Sequence, residues 1–253
     1  MEQAIFAQAF RESTRFRRLL PWVLVALVSG VLAYFWKFLL PNSEQVQNYS
    51  TVASMLVFRL VALASAIFTT AIISQEVEQR TIVYLLTRPV PRWKLIVIRY
   101  LASVLVVGLV GVLAAILTTF GAFNGFNNPV LWNDIKAIMI GACAYGALFL
   151  FVSLLFNRAM LVCLLFAFGW ETSVPNMRGM ESLSIQAYMQ AIAQHPADDS
   201  NPEFLELITG TLGINLITPD RAWAILIGLV VILLALSAWW FTHFEYVPRE
   251  DAE

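Results

Sequence analysis

Long apolar runs alternate with short polar segments along most of the 253-residue chain. A helix that crosses the hydrocarbon core of a bilayer needs about 20 apolar residues, because each residue adds about 1.5 Å. Six segments meet or approach that length. They lie near residues 22–40, 52–73, 95–120, 136–156, 159–174 and 222–243. The pattern therefore predicts an all-α integral membrane protein with six transmembrane helices, of which the fifth is the shortest.

Two segments outside these runs carry amphipathic patterns. In residues 1–20, phenylalanines recur at helical spacing among arginines, which predicts an interfacial helix, with a solvated basic tail as the alternative. Residues 175–221 lie between the fifth and sixth runs and contain one clear apolar face. It consists of Ile185, Tyr188, Met189 and Ile192. We expect surface or re-entrant helices in this outer segment, with a flexible loop as the alternative.

Composition agrees with a membrane protein and excludes several other classes. Hydrophobic residues make up 59% of the chain and charged residues only 13%, which is too apolar for a soluble globule of this size. Nucleotide-binding and metal-binding motifs are missing from the sequence, and only two cysteines and two histidines are present. We therefore expect no catalytic activity, no cofactor bound by this chain and no nucleic-acid partner.

The distribution of basic residues predicts the orientation. With six spans, eleven lysines and arginines fall on the side of the N-terminus and only four on the other side. Because cytoplasmic segments carry the excess of lysine and arginine, both termini should be cytoplasmic, in a bacterial inner membrane. Residues 75–94, the long charged interruption between the second and third runs, should then be cytoplasmic as well.

Within residues 75–94 the spacing predicts a short amphipathic helix. Ile82, Leu85 and Leu86 form its apolar face, and Pro89 ends it. From the spacing alone, a helix resting on lipid headgroups is an equal alternative to one that binds a partner.

The motif E-x-E-x-R-T-I-x-x-L-L-x-R-P-V-x-R resembles the loop between the second and third spans of type-2 ABC transporter permeases. Its positions are Glu76, Glu78, Arg80, Thr81, Ile82, Leu85, Leu86, Arg88, Pro89, Val90 and Arg92. In that family the loop holds a coupling helix that docks on a separate ATPase, so the resemblance implies this role for about residues 76–92. One departure is Arg80, which stands where many members have glycine.

The resemblance also implies the assembly and the activity. A second permease copy or paralogue and two soluble ABC ATPase subunits are expected, with ATP and Mg bound by the ATPases. The chain would be the permease of an exporter, and its apolar spans favour an amphipathic or lipid-linked substrate. The alternatives are a non-transporting membrane component that acts on an extracytoplasmic partner, and a secondary transporter or channel independent of ATP.

Two ionisable residues fall within predicted spans. A charge at mid-bilayer costs about 2.5–3.5 kcal/mol, so its retention needs a reason. Arg59 in the second span and Glu171 at the end of the fifth lie at similar depths in the outer half, which predicts an ion pair that acts as a latch or gate. In the alternative, Arg59 extends towards the outer surface and Glu171 caps a helix there.

Overall fold

The computed structural model describes residues 6, 10, 11, 14, 16–39, 45–78, 92–123, 125, 129–156, 158–174, 180–195 and 217–243. Within these ranges the regular structure is entirely helical. Side chains are described for most of these positions, but not for residues 16, 17, 45, 72–78, 92, 95 and 181.

Eight α-helices follow one another along the described chain. They are α1 (Phe16–Leu39), α2 (Gln45–Val52), α3 (Arg59–Glu78), α4 (Arg92–Phe123), α5 (Pro129–Leu155), α6 (Ala159–Leu165), α7 (Ile185–Ala193) and α8 (Pro219–His243). Two π-helical segments interrupt this order without breaking the chain's helical path. The first, Ala53–Phe58, joins α2 to α3; the second, Phe166–Trp170, joins α6 to a last turn, Glu171–Ser173.

Five helices are long and apolar enough to cross a membrane. These are Arg18–Leu39, Val46–Ala71, Ile96–Phe123, Pro129–Leu155 and Pro219–His243. The helical stretch Ala159–Ser173 is apolar but shorter, in line with the short fifth run of the sequence. The described chain therefore has the all-helical architecture of an integral membrane protein.

Two of these helices begin earlier than their apolar runs predict. The second begins at Gln45, where polar residues continue the helix because Tyr49 and Val52 are buried against the bundle. The fourth begins at Pro129, and proline suits the first position of a helix because its missing N–H has no acceptor there. Tertiary packing thus extends both helices beyond the hydrophobic stretch.

The first helix contains a proline near its start. Pro21 is the sixth residue of α1, which runs through it from Phe16. Because only the first four N–H groups of a helix lack an acceptor, Pro21 removes one hydrogen bond, which would run to the carbonyl of residue 17. Upstream, only residues 6, 10, 11 and 14 are described, and the rings of Phe6 and Phe10 stack with centroids 6.2 Å apart.

Glycines allow the helices at the centre of the bundle to approach closely. A Cβ atom on Gly121 would lie 2.3 Å from the carbonyl oxygen of Gly30, so α1 and α4 cross almost backbone to backbone. Ten residues earlier in α4, a Cβ atom on Gly111 would lie 2.7 Å from Ile138 Cγ2 of α5 and 2.8 Å from Val61 Cγ2 of α3. Helices α4 and α5 form the buried centre, whereas α1 and α8 are largely exposed at the periphery.

The bundle has two distinct ends. At one end α3 finishes at Glu78 and α4 starts at Arg92, and we call this the loop end. At the opposite end lie α2, the last turns of α4 and the start of α5. Helix α7 is inserted at this opposite end, which we call the plug end, and packs mainly against α5 and α8.

Candidate functional site

The predicted coupling segment belongs to the loop end. Glu76, Glu78 and Arg92 are described only through their helical backbone, as the last residues of α3 and the first of α4. The other predicted contact residues lie outside the described residues. They are Arg80, Thr81, Ile82, Leu85, Leu86, Arg88 and Pro89.

At the plug end, helix α7 is almost completely enclosed. The four residues that the spacing placed on one face, Ile185, Tyr188, Met189 and Ile192, are all buried. Met189 fits against Gly141 of α5, where a Cβ atom would lie only 2.3 Å from the Met189 sulfur. The helix is therefore a plug held in a notch between helices, and not a helix resting on the bilayer surface.

Glu171 fixes the N-terminal end of this plug. Its carboxylate is 1% exposed and accepts hydrogen bonds from the backbone N–H groups of Ile185 at 3.1 Å and Gln186 at 3.3 Å. These two N–H groups begin α7 and have no acceptor within that helix, so the carboxylate satisfies them and faces the positive end of the helix dipole. Glu171 thus caps a helix that follows it by fourteen residues.

Ser184 and Gln186 complete this anchor. The Ser184 hydroxyl donates to Glu171 Oε2 and accepts from the Ala187 N–H, so it is both a bridge and the N-cap of α7. The Gln186 side chain donates to the Ser54 carbonyl at 3.0 Å, within the π-helical segment before α3. A π-helical turn leaves backbone groups open to such contacts.

Tyrosine hydroxyls surround the same anchor. The Tyr145 hydroxyl of α5 is fully buried beside the Glu171 carboxylate and has no hydrogen-bond partner within the described residues. The Tyr188 hydroxyl donates to the Ser182 carbonyl at 2.8 Å, which closes the turn before α7. Burial raises the pKa of the Tyr188 hydroxyl above its usual value.

Arg59 is not brought to Glu171. No ion pair joins the two within the described chain, and the Arg59 Nε atom is buried there without a hydrogen-bond partner. The Glu171 oxygens are already engaged by Ser184 and the first N–H groups of α7. For Glu171, the structure therefore shows the helix-capping alternative, and the predicted ion pair with Arg59 is not formed in it.

The two intramembrane charges do share a local setting. Arg59 follows directly after the π-helical segment Ala53–Phe58, and Glu171 directly after Phe166–Trp170. Such segments widen a helix by one residue per turn and often occur at functional sites. Because the second helix begins at Gln45, Arg59 lies near the middle of the span Val46–Ala71, deeper than the apolar run indicated.

A second buried carboxylate anchors the other end of the plug. Asp134 of α5 is 1% exposed and accepts a hydrogen bond from the Tyr49 hydroxyl of α2. Its other oxygen, Oδ1, lies 2.8 Å from Nε2 of His195, just after the end of α7. Thr119 of α4 donates to the Tyr49 hydroxyl at 3.1 Å. Helix α2, helix α5 and the end of α7 therefore meet at one carboxylate, and α4 joins them through Tyr49.

Sequence reasoning did not find Asp134 or His195. Asp134 was assigned to the connection before the fourth span, and His195 to a turn-rich stretch of the outer segment. The preference of proline for the first turn of a helix would have started that span at Pro129 and made Asp134 an intramembrane charge. Nothing in the local sequence around His195 indicates its partner, because sixty-one positions separate it from Asp134.

The helical bundle, with its buried charges and long apolar helices, defines an integral membrane protein of the all-helical class. The chain belongs to the ABC-2 family of transporter proteins, whose family model matches residues 3–245. Membership makes the chain the membrane component of a transporter, not an enzyme, and in general implies an ABC ATPase as its partner. None of the curated proteins matches the chain.

Proposed function

We propose that the chain is the permease subunit of an ATP-driven exporter, with six spans and both termini in the cytoplasm of a bacterial cell. The observation that carries this proposal is the ABC-2 family match over nearly the whole chain. Two permeases, either identical copies or paralogues, would form the membrane part together with two ATPase subunits. The short helical stretch Ala159–Ser173 would be the fifth span.

Force would enter at the loop end. A membrane subunit without a nucleotide site can be driven only through contacts with a partner whose states differ. The segment from Glu76 to Arg92, between α3 and α4, would dock on the ATPase as a coupling helix. Helix α3 leads into this segment and α4 follows it, so a force on the segment would move both helices as rigid bodies.

The transport path would lie along the partly exposed face of α3. Arg59, Leu63 and Ile67 recur there every four residues and are only partly buried, below the exposed Met55. An arginine facing lipid at this depth is costly, so this face would be covered by the second permease or line the path. A path that is mostly apolar suits an amphipathic or lipid-linked substrate.

The plug end would be the outer gate. Glu171 would hold helix α7 there. Arg59 would be a charged residue of the transport path, below that helix. During the transport cycle, a shift of the π-helical segment Ala53–Phe58 would be transmitted directly to α7, because the Gln186 side chain is hydrogen-bonded to the Ser54 carbonyl. Helix α7 would then serve as the lid of the exit.

Charge reversal of Glu76 and Glu78 tests this proposal. The E76K/E78K permease, in nanodiscs with its ATPase, should lose the stimulation of ATP hydrolysis that the unmodified permease gives. D220K is a matched control, since Asp220 is an exposed acid at the start of α8, on the plug end. Equal stimulation by all three proteins would overturn the assignment of the coupling segment.

A further inference from the structure

The Asp134 site is built from side chains of distant segments and is closed to solvent. Asp134 accepts from Tyr49 at one oxygen and lies 2.8 Å from His195 Nε2 at the other. The His195 side chain is 6% exposed and that of Asp134 is 1% exposed. A buried carboxylate with two partners of this kind is a costly arrangement that needs each partner in place.

His195 is held in one orientation by aromatic rings. Its imidazole stacks on Phe58 with centroids 5.5 Å apart and planes inclined by 7°, and the Tyr49 ring meets it edge-on at 6.0 Å. The Nδ1 atom is buried and has no hydrogen-bond partner within the described chain. Since Nε2 faces a carboxylate, Nε2 carries the proton in the neutral ring and the lone pair of Nδ1 is unused.

We propose that the Asp134–His195 pair is a proton-binding site that governs how firmly the C-terminal end of helix α7 is docked. A proton added at Nδ1 makes the ring an imidazolium, whose positive charge faces the Asp134 carboxylate and the stacked Phe58 ring. Proton binding therefore strengthens the contact between α7 and α5. Loss of the proton leaves only a neutral donor at Nε2.

The groups that face His195 favour this direction. Among the residues that the structure describes, the titratable groups in contact with the ring are Asp134 from α5 and Tyr49 from α2, and Tyr49 donates a hydrogen bond to Asp134. The π-helical segment contributes Phe58, and α4 contributes Thr119 through Tyr49, neither of which ionises. The charge on the ring is thus balanced by one carboxylate.

The geometry also says which end of the plug responds. The N-terminal end of α7 is held by Ser184 and by backbone N–H groups bonded to the Glu171 carboxylate, and no imidazole takes part in that contact. The C-terminal end closes with Gln194 in a left-handed conformation, φ 54°, directly before His195. Release of the imidazole would therefore free α7 to swing from its N-terminal anchor. The interpretation of α7 as a lid rests on the proposed function, whereas the proton dependence of its docking does not.

A spin label on α7 tests the proposal without transport or an ATPase. The label is placed at Gln190→Cys, a partly buried position of α7, in a chain with Cys143→Ala and Cys163→Ala, in lipid nanodiscs. Between about pH 5 and about pH 8, where imidazoles change charge, the mobile fraction of the label should rise about fivefold.

Variants separate proton binding from a merely structural contact. H195Q keeps a donor towards Asp134 but cannot bind the proton, so the mobile fraction should no longer change with pH. H243Q is the matched control, since His243 lies exposed at the end of α8, and it should respond to pH like the parent. D134N removes the negative charge that faces the imidazole and should also abolish the pH response of the label. This variant replaces H195Q as the test if H195Q fails to fold.

A parent protein with no pH response, or an H195Q protein with the parent's response, would overturn the proposal. Because the readout is the mobility of α7 in the isolated permease, these results do not depend on whether an ATPase binds. Failure of the proposed function would appear instead as unaltered ATP turnover.

Discussion

The carboxylate of Glu171 lies 3.1 Å from the backbone nitrogen of Ile185, so the end of one apolar segment caps the helix that follows it. The capped helix, α7, is buried in the bundle between α5 and α8. A residue that the sequence marks as an intramembrane charge thereby becomes a structural anchor of the plug end.

Removal of this cap should loosen the plug. E171A leaves the N–H groups of Ile185 and Gln186 buried without an acceptor, which costs about 1–3 kcal/mol for each unsatisfied group. We expect a lower midpoint of chemical unfolding in lipid and faster hydrogen exchange at the start of α7.

The control for E171A is D220A, which removes an exposed acid near the same end of the bundle. It should leave both measurements unchanged. Equal hydrogen exchange at Ile185 in E171A and the parent would show that the carboxylate does not hold α7.

A charge swap distinguishes the capping role of Glu171 from an ion pair with Arg59. Each single reversal, R59E and E171R, should impair transport by the assembled complex. The double variant R59E/E171R should not restore transport. An arginine at position 171 would face the N-terminal end of α7, where its charge opposes the helix dipole and it cannot accept hydrogen bonds from the N–H groups.

Recovery of transport in the double variant would instead support the predicted pair, formed in a conformation other than the one described. R59K is the matched control for position 59, as it keeps the positive charge. It should retain more activity than R59Q if the charge itself is needed.

The fold was largely readable from the sequence because span length and apolarity are local properties. Five of the six apolar runs correspond to helices long enough to span a membrane, and the run flagged as shortest corresponds to the shorter stretch Ala159–Ser173. The helical face of Ile185, Tyr188, Met189 and Ile192 is buried as a unit, since its period of 3.6 is also local.

The site was only partly readable because its contacts are long-range. Depth along a span suggested that Arg59 and Glu171 meet, but depth does not specify the rotation of a helix about its own axis. Each of the two residues follows a π-helical segment, which shifts the faces of the helix beyond it. The bond between His195 and Asp134 joins an outer turn to the start of a span, and no periodic pattern encodes such a contact.

The close crossing of α1 and α4 should tolerate no side chain at Gly121. In G121A the new methyl group would lie 2.3 Å from the Gly30 carbonyl oxygen, so the two helices must separate. Such overpacking typically costs about 1–3 kcal/mol. We expect a lower unfolding midpoint in lipid and a smaller yield of monodisperse protein.

The matched control is G228A in α8, where nothing lies within 4 Å of the new Cβ atom. Alanine favours a helix over glycine by about 1 kcal/mol, so G228A should be neutral or slightly stabilising. A G121A protein as stable as G228A would contradict the close approach.

The hydroxyl of Tyr49 should stabilise the plug end through Asp134. Y49F keeps the ring that contacts His195 and Phe123 but removes the donor to the buried carboxylate. Hydrogen bonds to charged groups contribute about 1.5–3 kcal/mol, so a loss of this size in the free energy of unfolding is expected.

Y34F serves as the matched control, because Tyr34 is exposed on α1. It removes a hydroxyl without disturbing the Asp134 site and should leave the free energy of unfolding unchanged. If Y49F also leaves the free energy of unfolding unchanged, the Asp134 site does not depend on this donor.

The most direct test of the permease assignment is to extract the chain from its native membrane in mild detergent and determine what purifies with it. An ABC ATPase should be present in equimolar amount with the permease and should be lost in the E76K/E78K variant but retained in D220K. A chain that purifies as a stable, folded assembly without any ATPase, in the presence and in the absence of nucleotide, would contradict the assignment.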